Sequence, residues 1–107
     1  MSNVSTHTIL NIWEKAISVP GYDPDIWRKD FAGAWIRKDS YGMQTKYGWE
    51  VDHLRPLSKG GDNNEDNLIA LHWQNNRTKG ADYPNFNTSL TSDGNRNIEK
   101  IKKWQIQ

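Results

Sequence analysis

At 107 residues, 35% of them hydrophobic and with a formal net charge of +1, the chain is expected to form one small domain, 1–107, around a modest core. No run approaches the ~18 consecutive apolar residues of a membrane span, so no membrane partner is expected. A net charge this small excludes nucleic-acid binding through bulk charge and leaves only local patches.

Residues 1–7 are polar and predicted to be loose, with His7 among them. The start Met1-Ser2-Asn3-Val4-Ser5 lacks the charged and apolar regions of a signal peptide, and the chain has no cysteine, so a cytoplasmic setting is expected. From Thr8, the residues Ile9, Leu10, Ile12, Trp13, Ala16 and Ile17 follow helical spacing. Thr8 is the expected cap of that helix and Pro20-Gly21 its end. Asp23-Pro24 predicts the opening of a short helix over 24–30. Residues 34–38 read as extended and 39–42 as a turn. Strands are predicted over 49–53 and 68–72, and a helix of about two turns over 73–79, stopped by Gly80. Residues 81–91, rich in Asn, Asp, Pro and Ser, read as loop. Residues 95–104 read as a last helix with Ile98, Ile101 and either Trp104 or Gln105 on one face.

The chemistry concentrates between Glu50 and Gly80. Neighbouring strand residues point to opposite faces, so Asp52 and His53 reach one site only if the strand ends or bends there. Pro56 and Gly60-Gly61 make the chain leave the strand directly after the pair. A phosphodiester hydrolase needs a base for water, a cation for the developing charge and groups that fix both. His53 suits the first role, because imidazole titrates near neutral pH. Asp52 offers a hard carboxylate oxygen and Asn76 a hard amide oxygen for Mg²⁺ or Mn²⁺. Asn67, with two donors and an acceptor, suits a loop or imidazole anchor.

The ordered set Asp52-His53, Pro56, Gly60-Gly61, Asn67-Leu68, Asn76 and Lys79-Gly80 resembles the HNH endonuclease family. The resemblance spans the motif core, about 47–80. It implies an α+β fold with a ββα-metal core, a two-stranded antiparallel hairpin plus a helix, here flanked by N- and C-terminal helices. It implies His53 as general base, Asn67 as the central asparagine that pins the loop and helps orient the base, and Asp52 and Asn76 as ligands of one divalent metal. Asn76 stands at a motif position where many relatives have histidine. Many relatives also carry two Cys-x-x-Cys pairs that bind a structural zinc. This chain has none, and His72 and Asn75 stand at the positions of the second pair. An aromatic cluster that includes Trp35, Trp49 and Trp73 is expected to brace the core instead.

The implied activity is a metal-dependent DNA endonuclease, acting as a monomer that nicks. A ribonuclease on the same core, a non-catalytic DNA-binding module and a small zinc-stabilised interaction domain are the competing readings. Missing cysteines weigh against the last, and the presence of Asp52 and His53 against the module. Arg55, Lys59, Arg77 and Lys79 are the expected phosphate contacts, and Lys100, Lys102 and Lys103 are read evenly as contacts or as solvated surface. Glu50 is read as a solvated strand residue and His72 as packing. Gly60-Gly61 is read as a turn, because no P-loop surrounds it.

Overall fold

Short apolar runs separated by Gly, Asn and Asp cannot build long elements, and they fold here as hairpins. The computed structural model describes residues 4–107. Among the described residues, three two-stranded antiparallel sheets and two α-helices follow in order: α1 (Thr6–Lys15), β1 (Trp27–Lys29), β2 (Trp35–Arg37), β3 (Trp49–His53), β4 (Leu68–His72), α2 (Trp73–Lys79), β5 (Asn85–Asp93) and β6 (Arg96–Gln105). The fold is α+β, as expected. No helix is long and apolar enough to cross a membrane among these residues.

The core is made where α1 lies against the central hairpin. Ile12 and Trp13 of α1 pack on Ile36, Trp49, Val51, Leu68 and Ala70. Trp13 and Trp49 meet at 5.3 Å between ring centroids, and the Trp13 indole donates to the Pro24 carbonyl at 2.8 Å. Strand alternation explains the division of β3: Trp49 and Val51 go inward, while Glu50 and Asp52 share the other face.

Four of the predicted elements are corrected. α1 is capped by Ser5, whose Oγ accepts from the Thr8 amide at 3.1 Å, and His7 lies within the helix. The helix stops at Lys15, because Ile17 pairs as an isolated bridge with Lys29. Asp23-Pro24 opens a single turn rather than a helix. The Asp23 carboxylate accepts from the Asp25 amide at 2.9 Å, and the chain then extends to pair Trp27 with Arg37. Residues 85–93 are strand, with Phe86, Thr88, Leu90 and Thr91 buried and intervening positions mostly exposed. The expected C-terminal helix is β6, paired antiparallel with β5 from Asn85↔Gln105 to Asp93↔Arg96. Its three-residue spacing of Ile98 and Ile101 mimics a helix. The Asp93-Gly94 turn between two β-prone runs was the contrary signal.

A hydrogen-bonded hub stands where the zinc-binding pair would be. Asp30 is fully buried. Its Oδ1 accepts from the amides of Ala32 (2.9 Å) and Ala34 (2.8 Å). Its Oδ2 accepts from the His72 amide (2.8 Å) and Asn75 Nδ2 (3.0 Å). Asn75 Nδ2 also donates to the Leu90 carbonyl, and its Oδ1 accepts from the Ser89 and Leu90 amides. Two side chains thus tie together the β1–β2 turn, the β4–α2 junction and β5. The expected aromatic cluster is three separate groups: Trp49 meets Trp13 and Tyr41, Trp35 meets Tyr22 and Trp27, and the half-buried Trp73 stacks on His72.

Candidate active site

β3 and β4 pair in register from Trp49↔His72 to His53↔Leu68, so Asp52 and His53 lie at the open end of the hairpin. There the chain departs into a loop that Asn67 pins. Asn67 Oδ1 accepts from the Arg55 amide at 2.9 Å, while its Nδ2 donates to the carbonyls of Arg55 (3.0 Å) and Asp62 (2.8 Å). Gly60 takes a left-handed φ of 88°. At Gly61 a Cβ would lie 1.8 Å from the Arg55 carbonyl oxygen, so only glycine fits this close approach.

The pinned loop delivers Asn63 to the imidazole. Its Oδ1 lies 2.8 Å from His53 Nε2. An acceptor there places a proton on Nε2 and leaves the Nδ1 lone pair as the basic site. Asn67 therefore holds the loop, and Asn63 is the residue in contact with the ring. Sequence reasoning passed over Asn63. Its only signal is an amide four residues before Asn67 in the loop that Asn67 closes.

Helix α2 covers the polar face of β3. Residues three apart on a helix share a face, and so Asn76 and Lys79 meet Glu50 and Asp52. Asn76 Nδ2 donates to Glu50 Oε1 at 3.3 Å, so Glu50 is a half-buried partner rather than a solvated residue. Strand alternation from Asp52 was the signal for it. Lys79 Nζ lies 2.9 Å from Asp52 Oδ2 and donates to the His53 carbonyl at 3.0 Å. The contact with Oδ2 is off the line of a hydrogen bond, and that buried oxygen has no hydrogen-bond partner, so the two form an ion pair. Burial raises the Asp52 carboxyl above its ordinary 3.8, and the neighbouring Lys79 and His53 charges work against that rise.

The structure corrects the expectation for Lys79. Its side chain is 0% exposed, so it is not a phosphate contact. Arg77 is exposed and lies 4.9 Å over the Trp73 ring. Arg55 is exposed, donates through Nε to the Lys59 carbonyl at 2.7 Å and lies over Tyr83. Lys59 is exposed at the loop's end.

Asp52 and His53 both line one open groove of about 450 Å³, with Pro56, Leu57, Ser58, Gly80 and Ala81 as its other walls. A half-buried histidine held by an amide, a carboxylate paired through one oxygen with a buried lysine and a glycine-shaped loop share this hairpin and helix. Residues 37–82 match the model of the HNH endonuclease family.

The match covers less than half of the chain.

Comparison with curated proteins and with solved structures returns no match. HNH nucleases act on DNA and generally use a divalent metal. The HNH segment takes in β3, β4 and α2, while α1, β1, β5 and β6 lie outside it. Asp30 is therefore a brace from beyond the HNH segment. Among the described residues, no three His, Cys, Asp or Glu side chains gather as a metal-binding group. Of the two expected ligands, Asp52 lines the groove and Asn76 stands on α2 beside Glu50.

Proposed function

We propose that the protein hydrolyses DNA phosphodiester bonds at the Asp52–His53 groove, with His53 as general base. The observation that carries this reading is that both side chains line one open groove while Asn63 fixes the imidazole. The donor set fits one hard divalent cation, Mg²⁺ or Mn²⁺. Asp52 lines the groove and keeps Oδ1 outside its Lys79 pair, and Asn76 spends its Nδ2 on Glu50, which leaves the amide oxygen. Asp52 and Asn76 would hold the ion, which supplies positive charge to the phosphoryl oxygens and the leaving oxygen.

The remaining work falls to the chain's own residues. His53 Nδ1 takes a proton from water as the oxygen adds to phosphorus. One P–O bond forms, another breaks, and the leaving oxygen takes a proton from solvent. The resulting imidazolium keeps its Nε2–H bond to Asn63, because Nε2 is a donor in both protonation states. Asn67 keeps the Asn63 loop closed. Arg55 and Lys59 on the loop and Arg77 on α2 are exposed positive groups. With so few of them, binding is weak, little dependent on sequence and modestly salt-sensitive, each neutralised phosphate adding roughly 0.9 to the salt slope.

One groove serves one phosphate, so a monomer nicks. The test is supercoiled plasmid incubated with protein and Mg²⁺, Mn²⁺ or EDTA. Nicked circles should accumulate before linear DNA, and EDTA should stop both. Undiminished cutting in EDTA would sink the metal-dependent reading, and linear product without a nicked intermediate would sink the monomeric one.

A further inference from the structure

Lys79 is a fully buried lysine on the wall of the candidate site. Its side chain is 0% exposed, and its ammonium faces three groups: Asp52 Oδ2 at 2.9 Å, the His53 carbonyl at 3.0 Å and the Phe86 ring, whose centroid is 5.2 Å away. Burying an ammonium is costly unless it is paired, and an apolar side chain of similar volume often serves stability as well or better. The charge therefore calls for a role beyond packing. Lys79 holds the two adjacent site residues to α2 at once, one by its side chain and the other by its backbone.

The consequence lies in which Asp52 oxygen is left. Oδ2 is buried beside Nζ, while the Asp52 side chain as a whole keeps 17% exposure and lines the groove. We propose that Lys79 is a positioning residue that takes Asp52 Oδ2, so that the carboxylate presents a single oxygen, Oδ1, to a cation in the groove. This rests on the reading of the groove as a divalent-cation site. Lys79 also cancels one of the two negative charges that Glu50 and Asp52 place on this face. It thereby lowers the affinity for a cation while fixing the carboxylate's orientation. Affinity and turnover should then separate when Lys79 is neutralised.

The experiment uses Lys79→Met and Lys79→Arg in the full chain, with Mn²⁺ binding read by calorimetry and plasmid nicking read at saturating Mn²⁺. Lys79→Met should bind Mn²⁺ roughly five- to fifty-fold more tightly, because a nearby positive charge is gone. Its nicking rate at saturation should fall by about tenfold or more. Lys79→Arg keeps the charge and should bind Mn²⁺ within about threefold of the wild type. Unchanged or weaker Mn²⁺ binding by Lys79→Met, or an unchanged saturated rate, overturns the proposal. If neither the wild type nor Lys79→Met takes up Mn²⁺, the cation-site reading falls with it. Should Lys79→Met not fold, the wild type labelled with ¹⁵N-lysine decides. The shielded Lys79 ammonium signal should persist at saturating Mg²⁺, and its loss to solvent exchange overturns the proposal.

Discussion

Two inward-facing aspartates flank α2, and they are satisfied in opposite ways. Asp30 is fully buried and meets four N–H donors with no cation beside it. Asp52 has one cation, one oxygen without a hydrogen-bond partner and an opening to a groove. Burial raises both carboxyls above the usual 3.8, and their partners pull back: hydrogen bonds from Asn75, His72, Ala34 and Ala32 at Asp30, Lys79 and His53 at Asp52. A buried polar group with every valence used is architecture. One left short, at the wall of a groove, is where chemistry is sought.

The sharpest break of this comparison is Asp30→Ala. It strands three backbone amides and the Asn75 amide in the interior. At ~1–3 kcal/mol for each unsatisfied group, and with partial relaxation, the loss should be about 3–5 kcal/mol. Thermal or urea unfolding measures it, and a loss below about 1 kcal/mol contradicts the hub. Asp52→Asn should behave conversely. Its unfolding midpoint should move much less, while the metal concentration needed for nicking rises by roughly 10–100-fold. Equal stability losses in the two variants would erase the distinction.

Gly61→Ala sharpens the loop side of the argument. Its Cβ would collide with the Arg55 carbonyl, so the loop that holds Asn63 must shift. A fall in nicking of about tenfold or more, with little change in the unfolding midpoint, is expected. Asn67→Ala should give a similar defect that extra metal does not cure.

The motif hairpin was legible in the sequence because its residues carry both structure and chemistry. Asp52-His53, Asn67 and Asn76 fall where a strand end, a loop closure and a helix face bring them together. The β5–β6 hairpin was not, because Ile98 and Ile101 fall at helical spacing although Ile101 is exposed, and most other exposed positions are polar. Burial on one face, which only tertiary packing supplies, decided it as strand. Asp30 was also invisible, since its partners are mostly backbone amides, to which spacing gives no clue. Lys79 was misplaced for a related reason. A lysine late in a short polar helix reads as exposed, and only the carboxylate across the helix–strand contact draws it inward.

The smallest expected effect is in pH. Burial lowers the His72 imidazole below its ordinary 6.5, while bonds to the Lys46 carbonyl and the Asp30 charge oppose the shift. The unfolded chain then binds more protons than the fold just below pH 6.5. Stability from His72 is fully present above that value, falls as pH drops through it and levels off beneath the folded value. Asp30 runs the other way, its raised carboxyl losing stability as pH rises from 3.8 toward its folded value. His72→Gln should flatten the midpoint's decline between about pH 6.5 and 5. An unchanged slope would place the titration elsewhere.

The central claim is that His53 is the base in the Asp52–His53 groove. The most direct measurement is single-turnover nicking by His53→Ala beside its unfolding midpoint and DNA affinity. The account predicts a rate lower by roughly 10²–10⁴-fold, with folding and affinity near wild type. Nicking at the wild-type rate by a folded His53→Ala protein would contradict it.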